Sequence, residues 1–481
     1  MSPKTECRLA LLVVFLASFL YFFLLCAKEY TWMFASGDSG DWMAVATWWI
    51  VPQPYGSPLF ITLGHLVALL PGSLPVTMTV LLSVIPSSIT VTLVSAIVRQ
   101  MTGKVQFSVT SAVVLAGSAV FLSQSTVLEE YALATMFLTL GIFFYAQGRR
   151  KLTALALGLG TAVHIFILPV TVMWLVLHAR VWRAWVTPGL VYLVSGVLPY
   201  TLILWLMAYG YPPLVAGGGL SLGAINDYLG STAVMGSLSV TEAPLRLLYV
   251  VMFLLVSFGL AVWPAAKAIP SESKNYLGRM LIVLVGFSVW YYLTSIDPTT
   301  WTFLMWGSPA VAILAGLGLP KIGIPLLRKG ILAGAICLLI VNGVFLNAGL
   351  LTGQNPVAES LYQSIWQLPD DVVLVMDRGG PKGLGIFYAM SQGKQITPIF
   401  YYRLGHQGSP LYLNYLRWLD EECDIQGYDT VEQIANALDK HLTVYAQRPD
   451  ETMPIQLDWK PKLVTEDTGN PWFVEVTGVA R

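Results

Sequence analysis

Charge is what this sequence has least of. Lysine, arginine, aspartate and glutamate make up 11% of it, and hydrophobic residues 56%. A soluble domain carries about 25% charged residues. A water-solvated globule of 481 residues is therefore excluded, and lipid must cover much of the exterior. The few charges balance, 27 basic against 27 acidic, which removes the general basic field on which nucleic-acid binding rests. Cysteine is scarce as well: Cys7, Cys26, Cys337 and Cys423 have no metal-type spacing and cannot build a disulfide framework. No glycine-rich phosphate loop follows a strand in the apolar part. No Asn-x-Ser/Thr sequon occurs, a weak pointer to a prokaryotic source. The first apolar run, Leu9 to Ala27, lacks a small-residue cleavage site before Lys28 and Glu29, so it is expected to be a retained helix rather than a signal peptide.

What is present is aromatic and unevenly charged. The 16 Trp and 22 Tyr suit a chain with many lipid–water boundaries, where amphipathic rings settle. Residues 1–353 hold 17 basic and 10 acidic side chains, and residues 354–481 hold 10 and 17. The chain is thus expected to divide into a transmembrane part, 1–353, and a polar, acidic α/β domain, 354–481.

About 20 apolar residues cross a bilayer core as a helix. Runs of about that length or slightly shorter lie near 9–27, 75–98, 106–122, 131–147, 187–208, 245–266, 280–296, 301–319 and 331–351. The apolar stretch 152–177 is interrupted by Thr161, His164 and Pro169 and is expected as two short helices that enter and return. The reading is therefore an all-α polytopic membrane protein with about eleven spans. Residues 51–71 are apolar too, but basic residues argue against a further span, because lysine and arginine collect on cytoplasmic loops. With 51–71 as a surface helix in a long first outer loop, 15 of the 17 basic residues of the membrane part fall inside, and only Lys28 and Arg246 fall outside. The acids, which did not enter that choice, sort themselves: Glu29, Asp38, Asp41, Glu129, Glu130, Asp227, Glu242 and Asp297 fall outside, and Glu6 and Glu272 inside. The expectation is an integral, multi-pass protein of the cytoplasmic membrane, its N-terminus cytoplasmic and its C-terminal domain extracytoplasmic.

Two acidic clusters then carry the candidate chemistry. Asp38 and Asp41 lie three apart in Ser36-Gly37-Asp38-Ser39-Gly40-Asp41. Two close carboxylates can hold a divalent cation such as Mg²⁺ or Mn²⁺, or one can act as a general base while the other orients it. The same residues also make a plain helix cap with glycine turns. Glu129 and Glu130 precede Tyr131 after a short second outer loop, Ser123 to Glu130. They can complement a helix dipole, or face Asp38 across a cavity. Trp301 and Trp306, beyond the Asp297-Pro298 turn, read most simply as interface-belt residues.

Four segments, FASGDSGDWMAVATWW, PQPYGSPLFITLGHLVALLP, STVLEEYALATMFLTL and LGLGTAVHIFIL, follow in order over about residues 30–170. Together they resemble the DUF2723 family of membrane proteins, which includes a eukaryotic protein O-mannosyltransferase branch and belongs to the GT-C glycosyltransferases. The resemblance implies a GT-C fold with surface helices and a catalytic acid in its first outer loop, and a polyprenyl-phosphate-linked sugar as donor. It matches Asp38 and Asp41 to the family's two loop acids, and Glu129, Tyr131, Ala132 and Leu133 to its Glu-x-Tyr-Ala-Leu motif. Thr161 and His164 match its small-residue and histidine stretch. One position departs. The family's His-Pro-Pro-Gly-Tyr-Pro-Leu reads Gln53-Pro54-Tyr55-Gly56-Ser57-Pro58-Leu59 here, so the role of that histidine does not carry over to Gln53.

Chemistry supports the donor class independently. Nucleotide sugars are cytoplasmic, so an outward-facing site needs a donor carried across the bilayer on a lipid. Transfer needs a base for the acceptor hydroxyl and positive charge or a metal for the leaving phosphate. Asp38 is the expected base, with Asp41 and Glu129 supporting it. Gln53, Tyr55, His65, Glu130, Tyr131, His164 and Arg246 are the expected substrate-binding residues. Arg246 is the candidate phosphate partner, or else an interfacial anchor. The partners expected are membrane lipid, the lipid-linked donor, and a protein or glycan acceptor. A lipid or small-molecule transporter, or a non-catalytic assembly protein, are the competing readings. No internal repeat supports the transporter.

In the polar domain, strands are expected at 372–376, 396–402, 442–446 and 472–476. Helices are expected at 382–392, 430–441 and near 411–423. The strand–Asp377–glycine turn–helix run can hold an anion, as can many turns that hold nothing.

Overall fold

The computed structural model describes residues 3–26, 57–70, 74–177, 183–203, 243–294, 301–347, 356–377, 389, 393–401, 430–447 and 463–479. They form two compact units, a helical one ending at Asn347 and an α/β one beginning at Pro356.

The helical unit opens with α1 (Pro3–Leu25) and the short α2 (Pro58–Ala68), where Pro58 takes the first position, which needs no N–H partner. Then come α3 (Leu74–Thr79), a π turn at Val80–Val84 and α4 (Ile85–Thr102), which run on as one rod. There follow α5 (Val105–Ala116), α6 (Ala119–Ser125), α7 (Glu130–Ala146), α8 (Arg150–Val163) and α9 (Ile167–Leu177). Next are α10 (Val186–Tyr192) with a π turn at Leu193–Val197, α11 (Ala243–Phe258), α12 (Val262–Glu272) and α13 (Tyr276–Thr294). A 3-10 stretch, Trp301–Gly307, leads into α14 (Ser308–Gly318), and α15 (Pro325–Asn347) closes the unit.

The described parts of the stretches expected to span are helical apart from short breaks, and the all-α polytopic fold is the one found. Among the described residues, six helical segments are long and apolar enough to cross a membrane, or seven if the bent pair α5 and α6 counts as one. Of the other expected spans, 131–147 is one unbroken helix of 17 residues, and the rest are interrupted by breaks. The run 106–122 is not straight: α5 and α6 meet at 68°. Ser118 is extended there (φ −64°, ψ 123°), and glycine–serine pairs are common kink sites. Gly117 lies so close to α15 that a Cβ on it would stand 2.9 Å from the Leu339 backbone nitrogen. Its carbonyl, freed by the bend, accepts a hydrogen bond from Asn342 Nδ2 at 2.6 Å. The expected loop from Ser123 to Glu130 therefore shrinks to 126–129, since α6 continues to Ser125.

The centre of the unit is α14, all eleven of whose residues are buried. A helix apolar all round belongs inside. It packs on α4, α5, α12 and α13. Gly316 sits against Ser111 and Val98, and Gly318 against the Pro264 backbone. On the other side α7 runs between α4 and α8. Gly158 of α8 meets Gly196 of the second π turn backbone to backbone.

The second unit begins with α16 (Pro356–Gln367), followed by β1 (Val372–Asp377), β2 (Ile396–Tyr401), α17 (Thr430–Asp439), β3 (Val444–Gln447), β4 (Leu463–Glu466) and β5 (Phe473–Val479). The sheet order is β2-β1-β3-β5-β4. β1 is parallel to β2 and β3, with Val372 opposite Ile396 and Val373 opposite Val444. β5 is antiparallel to β3 and β4. Val373, Val375, Val444, Ala446 and Val476 meet Ile434 and Ala437 of α17 in one apolar core. Lys394 is buried, donating to the Leu368 carbonyl at 2.6 Å and standing 3.0 Å from Asp370 Oδ1. Helix α16 and strand β4 are additions to the expected elements. The expected helix near 411–423, and 382–392 apart from Ala389, lie outside the described residues.

Candidate active site

The site is built where two helices end and a third begins. Glu129 is the residue before α7, with extended backbone (φ −145°, ψ 148°), and Glu130 is the first residue of the helix. A helix N-terminus favours negative charge, but the two carboxylates are not simply solvated caps. Glu129 is 3% exposed and Glu130 6%. Glu is almost never buried to this degree unless paired.

The partner of Glu130 is His164. Its Nε2 lies 3.5 Å from Glu130 Oε1. His164 ends α8: its backbone turns extended (φ −148°, ψ 119°) while its N–H still donates to Gly160 at 2.8 Å. Two residues on, the Phe166 N–H donates to His164 Nδ1 at 3.3 Å. A nitrogen that accepts carries no proton, so the proton of the neutral ring is assigned to Nε2, the atom that faces Glu130. The break in 152–177 thus gives the imidazole a fixed orientation, and its backbone supplies the hydrogen bond that sets the tautomer.

Aromatic rings enclose the pair. Ring centroids lie 5.3 Å from His164 for Tyr131, 5.2 Å for Phe166 and 5.1 Å for Trp306. Tyr291 of α13 extends the wall, 4.6 Å from Phe166 and 5.8 Å from Trp306. Trp306 is fully buried. The expectation that it belongs to an interface belt is therefore wrong. The 3-10 stretch turns it inward onto His164, where its large face fills the space between α7 and α13.

The π turn supplies a second support. Ser83, on that turn, accepts a hydrogen bond of 3.5 Å from the Glu129 N–H. π turns often mark functional positions. Thr79 and Ser87, on the same rod, and Gln124 of α6 and Thr135 of α7 hold buried side-chain oxygens without a hydrogen-bond partner among the described residues. One turn before His164, the Thr161 hydroxyl donates to the Leu157 carbonyl at 3.0 Å and so accepts from the Tyr192 hydroxyl at 2.7 Å.

The structure therefore brings together four of the residues expected from sequence, Glu129, Glu130, Tyr131 and His164. His65 lies half-buried on α2, which packs against α8. Arg246, on α11, is buried, and its Nη1 donates to the Leu293 carbonyl in the last turn of α13 at 3.0 Å. That contact ties α11 to α13. Asp38, Asp41, Gln53 and Tyr55 lie outside the described residues. Among the described residues no group of three or more His, Cys, Asp or Glu side chains is placed to hold a metal ion. Phe166, Tyr291 and Ser83 are the site neighbours that sequence reasoning did not name, and Trp306 was named only as a belt residue. Only Phe166, two residues past His164, was within reach of a local signal.

Solved structures similar to this chain over nearly its whole length include two of one protein. ArnT from Cupriavidus metallidurans bound to undecaprenyl phosphate has a TM-score of 0.67 and 12% identity, covering 99% of this chain and 98% of that one. The same protein in the apo state has a TM-score of 0.64 and 13% identity over the same shares. At that identity the likeness shows the fold alone, and it is the GT-C-like fold expected from the sequence. No protein-family model and no curated protein matches the sequence. The resemblance to the DUF2723 family rests on the four segments alone.

Proposed function

We propose that this protein is a GT-C-type glycosyltransferase that moves a sugar from a polyprenyl-phosphate carrier to an extracytoplasmic protein or glycan acceptor. The observation that carries the proposal is the near full-length likeness to a structure solved with undecaprenyl phosphate bound. The enclosed Glu130–His164 pair beside Glu129 supports it, because buried ionisable groups at a helix junction in a membrane protein are costly and are kept for function. In the proposed topology the N-terminus is cytoplasmic, and the acids and the C-terminal domain lie outside.

In the reaction proposed, Asp38 removes the acceptor hydroxyl proton as that oxygen attacks the anomeric carbon of the donor sugar. The bond from that carbon to the phosphate oxygen breaks, and its electrons leave with the polyprenyl phosphate. Asp41 and Glu129 orient the base, and Asp38 with Asp41 form the proposed site for a Mg²⁺ or Mn²⁺ ion. Gln53, Tyr55, His65, Glu130, Tyr131, His164 and Arg246 are the proposed substrate-binding residues, Arg246 toward the phosphate. The test is Asp38→Asn assayed with polyprenyl-phosphate-linked sugars. A general base contributes about 10²–10⁴-fold, and a loss of that order is expected. Unchanged turnover by a well-folded Asp38→Asn protein removes Asp38 from the mechanism.

A further inference from the structure

The helical unit contains a hollow of about 620 Å³, bounded by α1, α4, α5 and α15, whose lining includes none of the Glu129, Glu130, Tyr131 and His164 cluster. One stripe of α1, including Ala10, Val14, Ala17 and Ser18, forms one wall. These positions recur at helical spacing. Val109, Ala112 and Ala116 of α5 form the wall opposite, with Val91 of α4 and Leu339 of α15 between them. Small residues facing one another normally let membrane helices touch. Here α1 packs chiefly on α4 rather than on α5, and it is tied at its far end, where the Tyr21 hydroxyl donates to the Leu339 carbonyl at 2.5 Å and Phe22 packs on Phe121. The space between the small residues therefore stays open.

The chemistry of the lining selects the occupant. Ser18 donates to the Val14 carbonyl at 2.8 Å within its own helix, and Tyr21 is bonded to Leu339. Neither hydroxyl calls for a polar ligand, and apart from Glu6 at one end the other groups along the walls are aliphatic. An occupant must be hydrocarbon, held by dispersion contacts that an unfilled hollow forfeits. From Glu6 to Tyr21 the hollow follows α1 for roughly 22 Å at 1.5 Å per residue, enough for the chain depth of one leaflet, roughly 15 Å. Glu6, exposed in the first turn of α1, is the one carboxylate in the lining. A carboxylate there repels an anionic headgroup and forms a charge-assisted hydrogen bond with a primary ammonium, which a trimethylated headgroup cannot donate.

We infer that this hollow binds one acyl chain of a phospholipid with a primary-amine headgroup, its ammonium paired with Glu6. Its lining shares no residue with the proposed donor site, and the inference does not depend on the transferase reading. The test uses the full-length protein in mild detergent, incubated with equimolar phosphatidylethanolamine, phosphatidylcholine and phosphatidylglycerol, and weighed by native mass spectrometry. One phosphatidylethanolamine is expected to be retained about fivefold over each competitor, the ratio that ~1 kcal/mol produces. Glu6→Gln is expected to equalise the three lipids, and Ala112→Phe to abolish retention by filling the hollow. Should Ala112→Phe fail to fold, Ala10→Phe fills the same space from the α1 side. Equal retention of the three lipids by the wild type, or undiminished retention by a folded filling variant, overturns the proposal.

Discussion

The coupling between Glu130 and His164 can be measured directly. His164→Phe keeps a ring against Tyr131, Phe166 and Trp306, whose centroids stand 5.1–5.3 Å away, but removes both nitrogens. Glu130→Leu removes the carboxylate and keeps an apolar side chain of similar size. Residues in contact couple by about 0.5–3 kcal/mol. The 3.5 Å separation is an ion-pair contact longer than a charge-assisted hydrogen bond, which puts this one at the low end, about 1 kcal/mol. His164→Phe also strips the Phe166 N–H of its acceptor, for about 1 kcal/mol more, so the single variant is expected to lose about 2 kcal/mol. The double variant should lose less than the sum of the two singles, by about 1 kcal/mol. His164→Ala gives a useful contrast, because it leaves a void beside the fully buried Trp306 and should cost about 3–5 kcal/mol, in the range of large-to-small core changes. The assay is reversible unfolding in mixed micelles followed by tryptophan fluorescence. Additivity of the singles within about 0.5 kcal/mol would refute the pairing and leave His164 a packing residue.

Two further outcomes follow from the packing. Gly196→Ala would place a Cβ 2.6 Å from the Gly158 carbonyl oxygen and 2.7 Å from its Cα. It should lower the thermal midpoint by an overpacking cost of about 1–3 kcal/mol. Gly189→Ala, where nothing lies within 4 Å, should instead gain up to about 1 kcal/mol of helix propensity; equal midpoints would contradict the close crossing. In the C-terminal unit, the hydrogen bond from Lys394 holds the Asp370 carboxyl below the usual carboxylate range. The folded state therefore binds its proton less tightly than the unfolded chain. The stabilising contribution is present above the ordinary carboxylate pKa and is lost as pH falls through the lowered folded value. Asp370→Asn should remove this acid-side loss from the unfolding midpoint of that unit, measured between about pH 2 and pH 5.

Hydropathy made the membrane helices legible because a bilayer imposes a length and a composition that no packing choice overrides. The acids before Tyr131 and the interruption at His164 were visible for a related reason, since polar groups stand out in apolar runs. What was not visible depends on distant contacts. Nothing in the run 106–122 shows that Gly117 will face Leu339 and bend. Nothing around Trp306 distinguishes a belt residue from one turned inward, because that choice is made by Tyr131, His164 and Tyr291, at least fifteen positions away in sequence. Strand β4 is four residues long and exists through its pairing with β5 rather than through local propensity. In the C-terminal unit β1 and β2 begin where alternation and β-branched residues placed them, whereas β3 starts two residues later than expected.

The Asn342 amide bonded to the Gly117 carbonyl joins positions 225 residues apart. Backbone carbonyls without a partner are strongly disfavoured in hydrocarbon. During synthesis the elbow between α5 and α6 is made long before its clasp, since α15 is the last helix of the unit to emerge. Until then the Gly117 carbonyl lacks the donor that satisfies it in the finished unit. A chain arrested before Asn342 would hold Glu129, Glu130 and His164 but lack the bond that clasps the elbow preceding them to α15.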